Sequence, residues 1–162
     1  VLSEVLEANV YTLSRKGRIL GFALGRLEEC DFLKNEVLVD KKFPEDYNNH
    51  LLSIIETKEN QISEDNTCVL SNQEKCFMGT KYSTVVPIFG SGERLGTLIL
   101  GKYNEAFTEG DLVLAEYGAT VIGLEILRSK QEEIEDDARK KAVVQMAIGT
   151  LSYSELEAVE HI

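Results

Sequence analysis

The chain has 162 residues, 43% of them hydrophobic, and a formal net charge of −11. That length holds one domain plus an extension and can bury a sizeable core. The acidity argues against a general nucleic-acid binder, because phosphate repels it, and no apolar run approaches a membrane span.

Charged and polar residues begin at once, so no secretory leader is read. The first residue is Val rather than Met, as expected of a fragment. Cys30, Cys68 and Cys76 leave one cysteine unpaired and form no C-x-x-C. Neither a zinc site nor a redox motif is supported, and a reducing, cytoplasmic setting is expected.

Val1–Glu7 reads as the end of a helix, with Val1, Leu2, Val5 and Leu6 at helical spacing. Asn9–Ser14 and Arg18–Leu24 read as two strands. Tyr11 and Leu13 alternate on the first, and Leu20, Phe22 and Leu24 on the second. Between them Gly17 supplies the positive φ of a tight turn. Leu27–Leu38 reads as a weakly patterned helix. Phe43-Pro44 opens a further helix carrying Tyr47, Leu51, Leu52 and Ile55. Lys58–Asn66 is polar and expected as loop, Thr67–Leu70 as a short strand, and Asn72–Lys81 as a second loop.

Val85–Phe89 and Leu95–Leu100 are apolar runs around Gly90-Ser91-Gly92, a hairpin signal. A long helix follows from near Glu109, with Thr108 and Asp111 spaced as a capping box. Leu112, Ala115, Ala119, Ile122 and Ile126 form its buried stripe. Gly118 and Gly123, costly inside a helix, imply a second helix packed closely there. From Arg128 to Lys141 the apolar content collapses, while Glu135–Arg139, Asp136–Lys140 and Asp137–Lys141 are acid-then-base pairs. If unbroken to Ile148, the helix spans about 60 Å, more than a domain needs, so it is expected to act as a connector. Gly149 is the expected stop. Ser152 and Glu155 then read as a capping box opening a new helix.

No catalytic grouping emerges. His50 and His161 stand in no ligand-spaced motif, and there is no G-x-S-x-G. Gly90–Gly96 is one residue off the dinucleotide fingerprint and is followed by a strand. Ser14-Arg15-Lys16-Gly17-Arg18 places three cations and a hydroxyl around a turn. Such a turn is either a solvated hairpin tip or a polyphosphate site. Phe43, Pro44 and Tyr47 are either ordinary core or walls of a small apolar pocket.

Strand, turn, strand and long helix is how many small-molecule sensor domains of the GAF/PAS type end. The segments ERLGTLIL, DLVLAEYGATVIG, EILRSK and AVVQMAIGTLSYSELEAVEHI closely resemble the CodY family, nutrient-responsive transcriptional regulators of Gram-positive bacteria. The resemblance is near word-for-word from Tyr82 to Ile162. It is recognisable at Val10–Leu24 and Phe43–Tyr47, and poor at Arg26–Val39 and Ile54–Phe77.

The resemblance implies an α+β GAF domain, an antiparallel sheet flanked by helices, over residues 1–128. A connector helix over 129–150 and the start of a winged helix-turn-helix domain over 151–162 would follow. It implies two effectors and neither a cofactor, a metal nor catalysis. GTP would be held by Ser14, Lys16, Arg18, Glu125 and Lys130, the carboxylate reading guanine N–H groups. Isoleucine, leucine or valine would be held among Phe43, Pro44, Tyr47, Thr67 and Val69. The chain departs from the family where an Arg usually pairs with the ligand carboxylate: Asp31-Phe32-Leu33-Lys34 stands there. Either Arg26 or Lys34 substitutes, backbone amides suffice, or affinity is reduced. A homodimer is expected, with DNA bound only through a domain beyond this chain and no membrane partner. The other readings are a dimerisation module without a ligand and an enzyme on the same scaffold.

Overall fold

The computed structural model describes residues 2–24, 37–62 and 81–160. The chain divides into two compact units, Val1–Leu124 and Glu125–Ile162. In the first unit the elements run α1 (Leu2–Leu6), β1 (Asn9–Ser14), β2 (Ile19–Ala23), α2 (Leu38–Asp40), α3 (Glu45–Leu52), β3 (Lys58–Ile62), β4 (Lys81–Gly90) and β5 (Glu93–Tyr103). Helix α4 (Glu109–Glu160) begins in the first unit and forms the described part of the second.

The strands make one antiparallel sheet in the order β2-β1-β5-β4-β3. Its centre is β5, whose residues from Leu95 to Tyr103 are all buried. The β4–β5 turn forms as expected: Ser91 and Gly92 both take positive φ, 53° and 77°, as a two-residue hairpin turn requires. On one face Tyr11, Leu13, Val85 and Ile99 form a core with Phe43, Leu51 and Ile54 from α3 and its flanks. Ile88 and Leu95 lie against α4, where Ala115 and Ala119 are buried.

The two α4 glycines have different partners. A side chain at Gly118 would meet Leu2 of α1 at 3.1 Å, so a helix does pack there. At Gly123 it would meet the Phe89 carbonyl of β4 at 3.0 Å, so that glycine admits a strand backbone rather than a helix.

Other expectations are corrected. Lys58–Ile62, expected as loop, is strand β3. Among the described residues it is an edge strand paired only with β4, so backbone bonds hold it without an apolar alternation. Its register shifts between Lys58 and Gln61, and Asn60 sits in that shift with φ 46°. The Asn60 carboxamide donates to the Phe107 carbonyl (3.0 Å) and accepts the Phe107 N–H (2.7 Å), which fixes the loop into α4. Leu20, Phe22 and Leu24 alternate as read but are exposed, at 55%, 50% and 39%. Helix α3 ends at Leu52, and Ile55 lies outside it, exposed. Gly149 does not stop α4, which continues to Glu160 through the expected Ser152–Glu155 cap. One glycine costs about 1 kcal/mol in a helix, too little to end one that Gln145, Met146 and Ala147 lead into and that Leu151, Glu155 and Leu156 continue. Leu27–Glu36, the strand at Thr67–Leu70 and most of the Asn72–Lys81 loop lie outside the described residues.

The start of α4 is fixed reciprocally. The Thr108 N–H donates to the Asp111 carboxylate (2.9 Å), and the Asp111 N–H donates to the Thr108 hydroxyl (3.2 Å). Buried Lys102 pairs with Asp111 at 3.5 Å and stacks over the Phe107 ring. Burial alone would push the Asp111 carboxyl up. The Thr108 N–H, the Lys102 charge and the Thr108 hydroxyl outweigh it and leave the carboxyl below its ordinary value. A depressed folded value contributes stability that is fully present above the unfolded value and is lost as pH falls through the folded one. We therefore expect Asp111→Asn to lose less stability than the parent as pH falls from about 6 to about 2. Urea unfolding at both pH values checks this. Parallel acid limbs would remove the assignment.

Candidate functional site

The basic turn is built by local hydrogen bonds. The Gly17 N–H donates to the Ser14 carbonyl (3.0 Å), and the Ser14 N–H to the Arg18 carbonyl (2.8 Å). The Arg18 N–H donates to the Ser14 hydroxyl (3.2 Å). A hydroxyl that accepts there still has a hydrogen to donate. Gly17 takes φ 84° and is buried, while Arg15, Lys16 and Arg18 are exposed.

The turn is tied to the segment that leads into α3. The Ile19 N–H donates to the Lys41 carbonyl (2.9 Å), and the Phe43 N–H to the Gly17 carbonyl (3.0 Å). Arg18 and Lys42 form an antiparallel bridge. From inside α3, the buried Asn48 side chain donates to the Arg15 carbonyl (3.2 Å). Its Oδ1 accepts no hydrogen bond from the described residues. A side chain at Gly17 would meet the Asn48 carboxamide carbon at 2.9 Å. The structure thus adds two exposed cations, Lys41 and Lys42, to the three of the turn. Their residue types were legible, but their place beside the turn depends on tertiary pairing.

The expected apolar residues are also gathered. The Phe43 ring is 5.8 Å from the Tyr47 ring and meets Tyr11 edge-on at 5.9 Å, and Tyr11 stacks with Phe22 at 6.4 Å. Phe43 is 3% exposed and belongs to the core, while Tyr47 is only half-buried beside it. Pro44 caps the start of α3 in an extended conformation and is half-buried. Arg26, Thr67 and Val69, the other expected contacts, lie outside the described residues, as does Lys34.

Arg94 is the functional candidate that sequence reasoning missed. Its guanidinium donates to the carbonyls of Gly96 (2.7 Å), Ile54 (2.5 Å) and Leu51 (3.1 Å), and to the Thr97 hydroxyl (2.9 Å). It also stacks on Phe89. Burial lowers its pKa from the ordinary value. In sequence it reads only as a cation after a hairpin turn.

Glu125 and Lys130 belong to the second unit. They are five residues apart on α4, about 140° around its axis, so they do not share a face. Glu125 pairs with Arg128 at 3.7 Å, and both side chains are mostly exposed. Lys130 is exposed. Further along, the expected Asp136–Lys140 pair forms at 3.0 Å. His50 is exposed on α3, and His161 lies outside the described residues. Among the described residues no helix is long and apolar enough to cross a membrane.

A family model described as "CodY GAF-like domain" matches residues 1–150. The chain belongs to the CodY family. Relatives named "Global transcriptional regulator CodY" match it over its whole length. That of Clostridium perfringens (strain SM101 / Type A) is 57% identical, and that of Clostridium acetobutylicum is 59% identical. The chain spans 62% of the length of these curated relatives. Among solved structures, the "cofactor binding GAF domain of the nutrient sensor CodY from Clostridium difficile" matches with a TM-score of 0.57 and 42% identity. That match covers 77% of this chain and 79% of the other. The fold is that of a GAF domain, in agreement with the expected α+β architecture.

Proposed function

We propose that the chain is the effector-sensing part of a cytoplasmic, DNA-binding transcriptional repressor and has no catalytic role. Branched-chain amino acids (isoleucine, leucine or valine) would bind in the layer of Phe43, Pro44 and Tyr47, completed by Thr67, Val69 and Arg26. GTP would bind at Ser14, Lys16 and Arg18, with Glu125 and Lys130. The observation that carries this reading is the convergence of the family's F-P-x-x-Y and S-R-K-G-R segments. Both fall on residues joined directly by the Phe43–Gly17 and Asn48–Arg15 hydrogen bonds. It is supported by the solved relative, described as a cofactor-binding nutrient-sensor domain, and by relatives named as regulators rather than enzymes. Residues 1–128 would be the sensor, 129–150 the connector, and 151–162 the approach to a DNA-binding domain. Effectors would act by binding the DNA-competent state more tightly than the other.

The same reading includes a homodimer. Val113, Tyr117, Val121 and Leu124 form an exposed apolar stripe on the outer side of α4, at 66%, 70%, 43% and 62%. Gly118 and Gly123 face the chain's own α1 and β4, so a second copy would use the stripe and not the glycines. That stripe also favours the second reading, a dimerisation module without a ligand.

Calorimetry of the full-length protein with isoleucine and GTP separates the two. Heat with both ligands is expected, and silence with both would leave only the dimerisation module. Lys16→Ala and Arg18→Ala are expected to weaken GTP binding about fivefold each, and more at low salt, because exposed charges are screened. Glu125→Ala is expected to weaken GTP more than ATP. Equal losses for the two nucleotides would refute guanine reading by that carboxylate.

A further inference from the structure

Helix α3 has only eight residues, too few to hold itself in water. Its last carbonyls have no partner within the helix and must find one outside. At its start it is tied to the basic turn through Phe43 and Asn48. At its far end the Arg94 guanidinium takes the carbonyls of Leu51 and Ile54. A cation there also opposes the negative end of the helix dipole.

The fork is set before it meets the helix. Nε donates to the Gly96 carbonyl, and one terminal nitrogen donates to both the Thr97 hydroxyl and the Leu51 carbonyl. The Phe89 ring lies 5.5 Å from the guanidinium carbon. Two acceptors, the Gly96 carbonyl and the Thr97 hydroxyl, and one ring therefore fix the plane on β4 and β5, and the Leu51 and Ile54 carbonyls at the end of α3 dock onto it. A lysine has no planar fork to reproduce this. Tyr47 lies on α3 one turn before Leu51, and Phe43, which precedes the helix, packs its ring on Tyr47 at 5.8 Å. Residues four apart share a helical face. Displacing the Leu51 end therefore displaces the aromatic wall.

We propose that Arg94 is a positioning residue for the apolar ligand site: it fixes the C-terminal end of α3 on the β4–β5 hairpin and so sets the depth of the Phe43–Tyr47 wall. The ligand part rests on the amino-acid reading above, whereas the positioning part is testable without a ligand.

The experiment compares Arg94→Gln and Arg94→Lys with the parent in the full-length protein, by hydrogen exchange and by calorimetry with isoleucine, valine and GTP. Without ligand, the Ser53 and Ile54 amides, which close the end of α3, are expected to exchange about tenfold faster in Arg94→Gln. The Phe43 amide is expected to be unchanged. Isoleucine affinity should fall about tenfold, with a shifted isoleucine-to-valine ratio, and GTP affinity should stay within about twofold. Arg94→Lys should recover folding but only part of the isoleucine affinity. If Arg94→Gln does not fold, Arg94→Lys is read by the same measures. Unchanged exchange at Ser53 and Ile54 overturns the proposal whatever the heats show. Unchanged isoleucine affinity and ratio in a parent that binds isoleucine also overturns it. A parent that gives no heat with isoleucine removes the amino-acid reading, and exchange alone then decides the role of Arg94.

Discussion

Phe43→Ala is expected to lower the unfolding free energy by about 3–5 kcal/mol, the usual cost of emptying an aromatic core site. The ring is 3% exposed and meets Tyr11 and Tyr47 within 6 Å, centre to centre, so few neighbours can collapse into the space. Domains of this size are stable by only about 5–15 kcal/mol. Loss of amino-acid binding in this variant would therefore mix lost walls with lost fold. Phe43→Leu separates them. It keeps most of the volume, is expected to cost about 1.5 kcal/mol, and leaves a domain in which selectivity can be read. Burying a branched aliphatic side chain contributes about 1.5–3 kcal/mol, so selectivity for isoleucine over polar amino acids follows from these walls. Urea unfolding of both variants, followed by calorimetry of Phe43→Leu, is the check. A Phe43→Ala cost under about 1 kcal/mol would mean that the ring is not a core residue.

What the sequence disclosed follows from how each feature is encoded. The β4–β5 hairpin and the α4 cap were legible because turn and cap chemistry are local: Ser91-Gly92 and Thr108–Asp111 carry their own geometry. Strand β3 was not, because an edge strand held by backbone bonds leaves no apolar period to read. The continuation of α4 past Gly149 was missed for a different reason. A glycine and a Ser-x-x-Glu spacing make a plausible break, but either is a weak preference beside a long helix already formed. At the candidate site, Lys16, Arg18, Phe43 and Tyr47 were legible as residue types, whereas the bonds joining the turn to α3 were not. Asn48, Lys41, Lys42 and Arg94 act across long sequence separations, and no short-range signal marks them. Glu125 and Lys130 show the converse: a motif in sequence whose members a helix turns to different faces.

Gly96→Ala is expected to be the most damaging small substitution in the sheet, costing about 3 kcal/mol or more. Gly96 lies in the central strand, opposite Ser14 on one side and Ile88 on the other. A methyl there would overlap the Leu13 carbonyl oxygen and come within 3.3 Å of its carbon. The obstacle is backbone, so no side-chain rotation relieves it. Relief requires β1 to move away from β5, and the moving end of β1 is Ser14, where the basic turn starts. Any variant that still folds should therefore lose GTP affinity along with stability. Gly21→Ala is the matched control: among the described residues that glycine lies on the outermost strand, β2, and none of them comes within 4 Å of the added atom. It is expected to change stability by no more than about 0.5 kcal/mol. Urea unfolding of the pair measures the contrast, and GTP calorimetry of the folded fraction measures the displacement of Ser14. Equal stabilities for the two variants would mean that β1 and β5 do not approach so closely. A destabilised Gly96→Ala with unchanged GTP affinity would free the nucleotide site from any dependence on the end of β1.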